Sequence, residues 1–206
     1  MTPFTISANR HLRKAVNAFY YTPYLGYKKA GNPDFLNTLK NTYNNVSNRA
    51  LTSAAQQLRD VFRVDLPIIL RNSGLETMVV CIVPRAKAED TYHANQLLFK
   101  TTTQKVISGI AGLDEGTDHL HRHTNTKTTH LPSTTPNYVN DGNAPFPGIT
   151  AETCYISTRI KGKDVLLIDD IYTHGVNIDE DAIQALLDAG AHSVTFYAVA
   201  KTQPKG

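Results

Sequence analysis

The sequence predicts an α/β fold in which a mainly parallel central sheet is flanked by helices. Two short runs, Thr77–Val83 and Lys163–Ile168, have the unbroken apolar character of strands buried on both faces of a parallel sheet. Each is followed by a segment with the apolar periodicity of a helix, over Thr91–Ile107 and Ile178–Leu187. This alternation of strand and helix is typical of α/β proteins.

Length and charge restrict the class of protein further. The 206 residues fit a single domain over residues 1–206. The 21 basic and 18 acidic residues are spread along the chain, whereas nucleic-acid binding usually needs a concentrated basic surface. Cys81 and Cys154 lack a metal-binding spacing, so we expect buried, reduced thiols. Without a membrane-length apolar run or a leader-like start, we expect a soluble, cytoplasmic protein.

The first 48 residues are rich in Asn, Tyr and Thr. Their tyrosine-rich stretch predicts a hairpin with strands Ala18–Tyr21 and Tyr24–Lys28, and Asp34–Lys40 predicts a short helical turn. Apolar residues at three- and four-residue spacing then predict a helix over Ser47–Val64. We expect Pro67, just beyond it, to end this helix.

The second half contains a long segment of different character. Over residues 112–150, Gly, Thr, His, Asn and Pro dominate, which predicts a long flexible flap because unstructured loops of this length are usually functional. Order returns at Thr153–Thr158, and Val194–Ala200 predicts the final strand. Within the flap, three alternating histidines would share one face of a strand: His119, His121 and His123. A metal site is one interpretation of them, and a solvated or substrate-facing ladder is the favoured one.

The strongest functional signal lies in the segment Asp164–Gly190. Asp169 and Asp170 follow the apolar strand Val165–Ile168, and ligands bind at this carboxyl end in open α/β sheets. The next residues, Thr173–Asn177, predict a tight turn into a helix, whose amides form a nest for an anion. The segment therefore offers acceptors for hydroxyl groups beside donors for a phosphate.

Individual residues of the turn suit phosphate binding. Gly175 allows close approach of the backbone, and the side chains of Thr173 and Asn177 can bond phosphate oxygens or cap the helix. His174 adds a donor when it is protonated, or turns to solvent and leaves only its amide in use. The sequence contains neither a P-loop nor the Gly-x-Gly-x-x-Gly dinucleotide fingerprint.

The stretch LLIDDIYTHGVN resembles the phosphoribosyl-diphosphate-binding motif of type I phosphoribosyltransferases. Within that superfamily, the chain is similar to the ComF-type, amidophosphoribosyltransferase-like group. Three weaker segments resemble parts of that group in the same order: YYTPYLGYKKAGNPDFLNTLK, VVCIVPRAKAEDTYHANQLL and LHRHTNTKTTHL. Together they cover most of residues 18–201. The chain departs from the group in lacking its frequent zinc-binding cysteine cluster and in having Asn177 where Thr is usual.

The resemblance implies a type I phosphoribosyltransferase fold, with a small variable hood over residues 1–48, and a role for each matching residue. Asp169 and Asp170 would be catalytic, engaging the ribose hydroxyls and holding Mg²⁺ through water. The implied 5-phosphate ligands are Thr173, His174, Gly175, Val176 and Asn177; the diphosphate ligands are Arg85, Ala86 and Lys87; and the flap contacts are Arg122, Thr124, Lys127 and Thr128. Arg85 and Lys87 are alternatively solvated turn residues.

The implied activity is transfer of the phosphoribosyl group from 5-phosphoribosyl-1-diphosphate to a nitrogenous acceptor, with Mg²⁺ and release of diphosphate. The alternative is a regulatory or accessory protein that binds 5-phosphoribosyl-1-diphosphate without turnover. The sequence favours the enzyme because it shows no helix-turn-helix and no dense basic stripe. It does not identify the acceptor. A homodimer is compatible with the resemblance.

Overall fold

The computed structural model describes residues 1–128, 140–142 and 148–203. Its centre is a six-stranded mixed sheet of order β1-β2-β8-β7-β3-β4, in which every neighbouring pair is parallel except β1 with β2. Two further short strands, β5 and β6, pair antiparallel. The strands are β1 Thr2–Ile6, β2 Val16–Tyr24, β3 Met78–Ile82, β4 Leu113–Glu115, β5 Leu120–Arg122, β6 Cys154–Ile156, β7 Asp164–Tyr172 and β8 Ser193–Thr202.

Helices cover both faces of this sheet. They are α1 Asp34–Lys40, α2 Asn48–Ser73, α3 Leu98–Ile107 and α4 Ile178–Asp188, with short 3₁₀ turns at Glu89–Thr91, Ala94–Gln96 and Thr158–Ile160. The first three pack on one face, in a core that contains Phe62 and Tyr197. Helix α4 packs on the other face, in a core that contains Ile183 and Phe196. The predicted α/β fold with a mainly parallel sheet flanked by helices is confirmed.

The order of the strands creates a crevice between β3 and β7. From β3 the chain passes through α3 to β4 on one side, and from β7 it passes through α4 to β8 on the other. Because the two connections run in opposite directions, their loops separate at the carboxyl ends of β3 and β7. This switch point is where open α/β sheets bind ligands.

The predicted strands and cysteines agree with the core. All five residues of β3 are buried, and Val165–Ile168 of β7 are fully buried, as expected for strands covered on both faces. Both cysteines are buried and free. Burial, with a smaller contribution from Glu115, raises the pKa of Cys81 to about 12, so its thiol is protonated and unreactive.

The predicted hairpin near the amino terminus is wrong. Val16–Tyr24 is one continuous strand, which pairs parallel with β8. The antiparallel partner is instead β1, which reaches only as far as Tyr20. Pro23 therefore lies beyond the part of β2 that β1 covers, where its missing N–H leaves no β1 carbonyl without a partner. Residues 1–48 thus contribute two strands to the main sheet, while α1 was predicted correctly.

The end predicted for the next helix is also wrong. Helix α2 starts where expected, because the Ser47 hydroxyl accepts a hydrogen bond from the Ala50 amide, but it continues through Pro67 to Ser73. A proline inside a helix costs roughly 3 kcal/mol. Leu66 and Ile69, on either side of it, are fully buried, and this burial offsets the penalty.

Two other predictions need correction. The helix expected over Thr91–Ile107 begins only at Leu98, because the preceding residues form 3₁₀ turns and the Gln96 side chain bonds the Asn41 carbonyl of the α1 end. The flap predicted over residues 112–150 does not begin at 112, since Leu113–Glu115 is the edge strand β4. Residues 129–139 and 143–147 of that range lie outside the described residues.

No helix in the described part of the chain is long and apolar enough to cross a membrane.

A buried polar pair connects α2 to the sheet and provides a test of this packing. The Tyr197 hydroxyl donates to the Asp65 carboxylate at 2.7 Å, and both residues are buried. Tyr197→Phe would leave that carboxylate oxygen without its donor, so we expect the free energy of unfolding to fall by about 1–3 kcal/mol. Chemical denaturation measures the change. Tyr155→Phe, at a half-exposed position, is the control, and equal stabilities of the two variants would contradict the interpretation.

Candidate functional site

A cavity of about 180 Å³ occupies the crevice at the carboxyl ends of β3 and β7. Its floor is the turn after β3, residues 83–87, together with Asp169 and Asp170 at the end of β7. The remaining walls come from the end of α1, the start of α3 and residues 126–128. Six cationic and three acidic side chains line it: Lys40, Arg85, Lys87, Lys100, Arg122 and Lys127, with Glu89, Asp169 and Asp170. The lining therefore suits an anionic ligand.

The two adjacent acids contact opposite layers of the protein. Side chains alternate along β7, so Val165 and Leu167 pack on the α4 side, whereas Leu166 and Ile168 pack on the α2 side. Continuing this alternation, Asp169 contacts a residue of α4, and Asp170 contacts a residue of α1. Strand β7 runs on to Tyr172, beyond the predicted end at Ile168, so both acids lie within the strand.

Asp169 shares its environment with a second buried carboxyl group. Its side chain is hydrogen bonded to that of Asp179 in the first turn of α4, and it accepts the Asp170 amide at 2.7 Å. Burial, and then the charge of Asp170, raise the pKa of Asp169 to about 7. Burial and the neighbouring Asp169 raise the pKa of Asp179 well above its ordinary value. Two touching carboxyl groups in this setting hold a proton between them.

Asp170 is neutralised differently, by a lysine from α1. Lys40 Nζ lies 3.1 Å from Asp170 Oδ2, with about a quarter of each side chain exposed. Burial alone would lower the pKa of Lys40, but the charges of Asp170 and Asp169 outweigh it and the pKa is raised. Lys40 is therefore a cation held against the acidic pair.

The turn Thr173–Asn177 stands at the rim of this cavity. Asp170 before it and Ile178 after it line the cavity, while the turn itself lies outside the lining. Among the described residues, the amides of His174, Gly175 and Asn177 meet no acceptor, and only the Val176 amide is bonded within the turn, to the Thr173 carbonyl at 3.2 Å. Gly175 has a φ of 84°, and a side chain there would meet nothing within 4 Å. The turn thus presents open amides beside the cavity.

The side chains of this turn are occupied with holding its shape. The Thr173 and Thr202 hydroxyls lie 2.7 Å apart. Asn177 donates to the Gly175 carbonyl and accepts from the Asn9 side chain, and its own backbone is left-handed, with a φ of 64°. Asn tolerates this conformation better than most residues do. Both side chains therefore help to hold the turn, and its open amides are further donors for an anion.

The predicted diphosphate turn is built into the cavity floor, and its cations have other partners. The Arg85 guanidinium donates to the carbonyls of Gln96 and Lys40 at 2.6 and 2.7 Å and stacks on the Tyr92 ring. Lys87 Nζ donates to the Asp141 carbonyl and carboxylate at 2.6 and 2.7 Å. Arg85 is therefore not the solvated turn residue of the alternative interpretation.

The predicted flap contacts separate into two groups. Arg122, Lys127 and Thr128 line the cavity, whereas Thr124 lines a different depression. Arg122 is buried and donates to the carbonyls of Arg85 and Gly148, so it braces the turn after β3. Thr126 bonds Ala86 through both its amide and its hydroxyl, which places this segment across the cavity.

The three histidines do not form a shared site. His121, in β5, lies against the ring of Tyr155 in β6. His123 lies beyond the end of β5 and contacts Thr124. Within the described ranges, no group of three or more His, Cys, Asp or Glu side chains is arranged to hold a metal ion. The metal interpretation of the histidines therefore gains no support.

Comparisons with known proteins add no assignment. A scan against protein-family models gives no match. A search of curated proteins likewise gives no match. The class that fold and site define is an α/β protein with an acid-containing, mainly cationic cavity at its switch point.

Sequence reasoning missed two members of the site. Lys40 is marked in the sequence only as the end of a helical turn inside a segment of resemblance. Asp179 has the pattern of a structural acid, because negative charge is favoured in the first turn of a helix. Neither position carries a local signal for its partner, because Lys40 is 130 residues from Asp170. The spacing of Asp169 and Asp179 becomes informative only once the strand and helix are packed together.

The shared proton predicts an unusual pH dependence of stability. Between the ordinary carboxyl pKa near 4 and about pH 7, the unfolded chain loses a proton that the folded protein keeps. The free energy of unfolding should therefore fall as the pH rises through this window. Asp179→Asn keeps a donor for Asp169 without needing a proton, so we expect it to stabilise the protein at pH 8 by about 1–3 kcal/mol and to flatten the profile.

Urea denaturation at pH 5 to 8 tests this expectation. The control is Asp114→Asn, an exposed carboxylate of β4, which should follow the wild-type profile. A variant at Asp179 that is less stable than wild type at pH 8 would contradict the shared proton.

Proposed function

We propose that the protein is a type I phosphoribosyltransferase, which binds 5-phosphoribosyl-1-diphosphate with Mg²⁺ and transfers the phosphoribosyl group to a nitrogenous acceptor. The finer assignment to that fold is part of the proposal, because a doubly wound sheet is shared by proteins of many functions. The supporting observation is one arrangement: two carboxylates, a cationic cavity and a turn of open amides meet at the carboxyl end of β7.

The turn supplies what a terminal phosphate needs. The amides of His174, Gly175 and Asn177, which meet no acceptor in the part of the chain that the structure describes, lie just before α4, whose N-terminus favours negative charge. Side-chain bonds from Asn9 and Thr202 keep the turn in shape. A phosphate bound here would lie at the rim, so that the rest of the ligand could extend towards the acids and into the cavity.

The acids and the cations act on the other end of the ligand. Asp170 and Asp169 accept hydrogen bonds from ribose hydroxyl groups, since carboxylates are strong acceptors. Lys87 and Lys127 line the cavity where the leaving diphosphate would lie, and both would stabilise its growing charge, Lys87 by exchanging its bonds to Asp141. In the reaction, the acceptor nitrogen bonds to ribose C1 while the bond from C1 to the diphosphate oxygen breaks.

The carboxylate oxygens of the site fit an Mg²⁺ ion that is bound together with 5-phosphoribosyl-1-diphosphate. Mg²⁺ prefers oxygen ligands and is usually bound through one or two carboxylates plus waters and substrate phosphates. Asp169 and Asp170 provide such carboxylates, and one buried oxygen of the adjacent Asp179 has no hydrogen-bond partner within the described ranges. Bound Mg²⁺ would supply neutralisation of the leaving diphosphate.

The segment over residues 126–128 would limit access of water to the reacting carbon. Thr126 bonds the Ala86 carbonyl, and Thr128 bonds the Asn140 side chain, so this segment is fixed at both ends. Water competes with the acceptor nitrogen for ribose C1, and a closed cavity favours transfer over hydrolysis.

Binding and turnover together test the proposal. Calorimetry with 5-phosphoribosyl-1-diphosphate and Mg²⁺ should show one site, and a panel of ammonia, amines and free bases should include an acceptor that releases diphosphate. Asp170→Asn should weaken binding at least about tenfold through lost charged hydrogen bonds, whereas Asp114→Asn should not. Failure of the wild type to bind would overturn the proposal, and binding without release for every acceptor would favour the regulatory alternative.

The turn has its own test in Gly175→Val. A valine at a φ of 84° is strained by about 1–2 kcal/mol, but the open space around it lets the protein fold. The side chain would stand among the open amides, so we expect at least tenfold weaker binding of 5-phosphoribosyl-1-diphosphate. Gly162→Val is the matched control, because Gly162 has a φ of 72°, equally open space and a place before β7, at the opposite end of the sheet. Equal affinities of the two variants would argue against the amide site.

A further inference from the structure

The position next to Asp170 that a bound cation would take is occupied by a side chain of the protein itself. Within the described ranges, Lys40 is the partner in the one ion pair that Asp170 makes, at 3.1 Å from Oδ2. Asp169 is occupied as well, by the Asp170 amide and by Asp179. A metal ion or a ribose hydroxyl group that approaches Asp170 Oδ2 therefore meets the Lys40 ammonium group first.

The backbone that carries Lys40 is fixed from the opposite wall of the cavity. Helix α1 ends at Lys40, where Asn41 takes a left-handed conformation. The Lys40 carbonyl accepts from Arg85, and the Asn41 carbonyl accepts from Gln96, at 2.7 and 3.0 Å. Arg85 also bonds the Gln96 carbonyl, which closes the network. The end of α1 is thus held in place by its backbone, whereas the Lys40 ammonium group is held by Asp170.

The composition of the pair makes it exchangeable rather than permanent. About a quarter of each side chain is exposed to the cavity, so neither charge is sealed away from an incoming ligand. A lysine ammonium is a point charge on a flexible stem, in contrast to the forked guanidinium of Arg85. An anionic ligand in the cavity would offer the released ammonium group a new partner nearby.

We propose that Lys40 is an exchangeable internal counter-ion: it occupies the cation position at Asp170 in the free protein and leaves it when a divalent cation binds, turning towards the anionic ligand. The role in metal binding stands by itself, and the part that concerns the ligand rests on the proposed function. Lys40 is accordingly a positioning residue that sets the metal requirement of the site.

Substitution of Lys40 should affect the binding of Mn²⁺ and of 5-phosphoribosyl-1-diphosphate in opposite directions. A purely structural role of Lys40 would not produce this difference. Lys40→Met removes a competing charge next to Asp170, and a neighbouring charge changes ion binding at a carboxylate by about tenfold or more. Mn²⁺ alone should therefore bind at least about tenfold more tightly to the variant. Binding of 5-phosphoribosyl-1-diphosphate with Mg²⁺ should become weaker, because the cavity has lost a cation.

Electron paramagnetic resonance of free Mn²⁺ gives the metal affinity without any dependence on activity. Lys40→Arg keeps the charge and should bind Mn²⁺ no more tightly than the wild type. Lys105→Met, which loses the same charge at an exposed position of α3, should stay within about twofold of the wild type. The tightening should vanish when Lys40→Met is combined with Asp170→Asn. The proposal is overturned if Lys40→Met binds Mn²⁺ no more tightly than the wild type, including the case in which neither binds it.

A second measurement uses only the wild-type protein and so does not depend on the folding of a variant. Release from Asp170 should make Lys40 a better nucleophile, so its rate of acetylation by acetic anhydride, followed by mass spectrometry, should rise on addition of Mg²⁺, while that of Lys105 should not. An unchanged or lower rate at saturating Mg²⁺ would refute the exchange. Should the Mn²⁺ results hold while 5-phosphoribosyl-1-diphosphate fails to bind, the counter-ion role survives and the proposed function fails.

Discussion

The placement of two adjacent, partly buried carboxylates at the end of β7 is the constraint on which the rest of the site depends. Asp169 and Asp170 follow four fully buried residues, and charges in such surroundings are costly unless they are paired. Alternation along the strand sends the two carboxylates to different layers, so each meets its own nearest partner. The protein uses a proton held with Asp179 for one of them and the Lys40 ammonium group for the other.

This division ties the acids to the architecture on both faces of the sheet. Asp179 belongs to the first turn of α4, and Lys40 ends α1, so the packing of both helices is adjusted to the same strand end. The end of α1 is bonded in turn to Arg85 and Gln96 on the far wall of the cavity. The site is therefore a junction of three layers rather than a loop placed on a finished scaffold.

The division of labour among the cations follows from the same packing. Arg85 and Arg122, with planar guanidinium groups, bond backbone carbonyls and hold the cavity floor in shape. The lysines of the lining carry their charge on flexible stems, and Lys40 and Lys87 use it in ion pairs with Asp170 and Asp141. In the proposed function, such a cavity would act by positioning and by electrostatic preorganisation.

The sequence by itself determined the α/β class, the buried strands β3 and β7, the helices α1 and α4, and the succession of two acids and a turn. These features are local, because apolar runs, periodicity and turn residues can be recognised from neighbouring positions in the sequence. It did not determine that Val16–Tyr24 is a single strand within the sheet or that α2 continues through Pro67, since burial against distant residues outweighed local propensity there. Only the tertiary structure decided that Lys40 meets Asp170 and that Asp179 meets Asp169. Only packing brings the residues of these contacts together. Complementary charges also produce no periodic pattern in the sequence from which the contacts could be predicted.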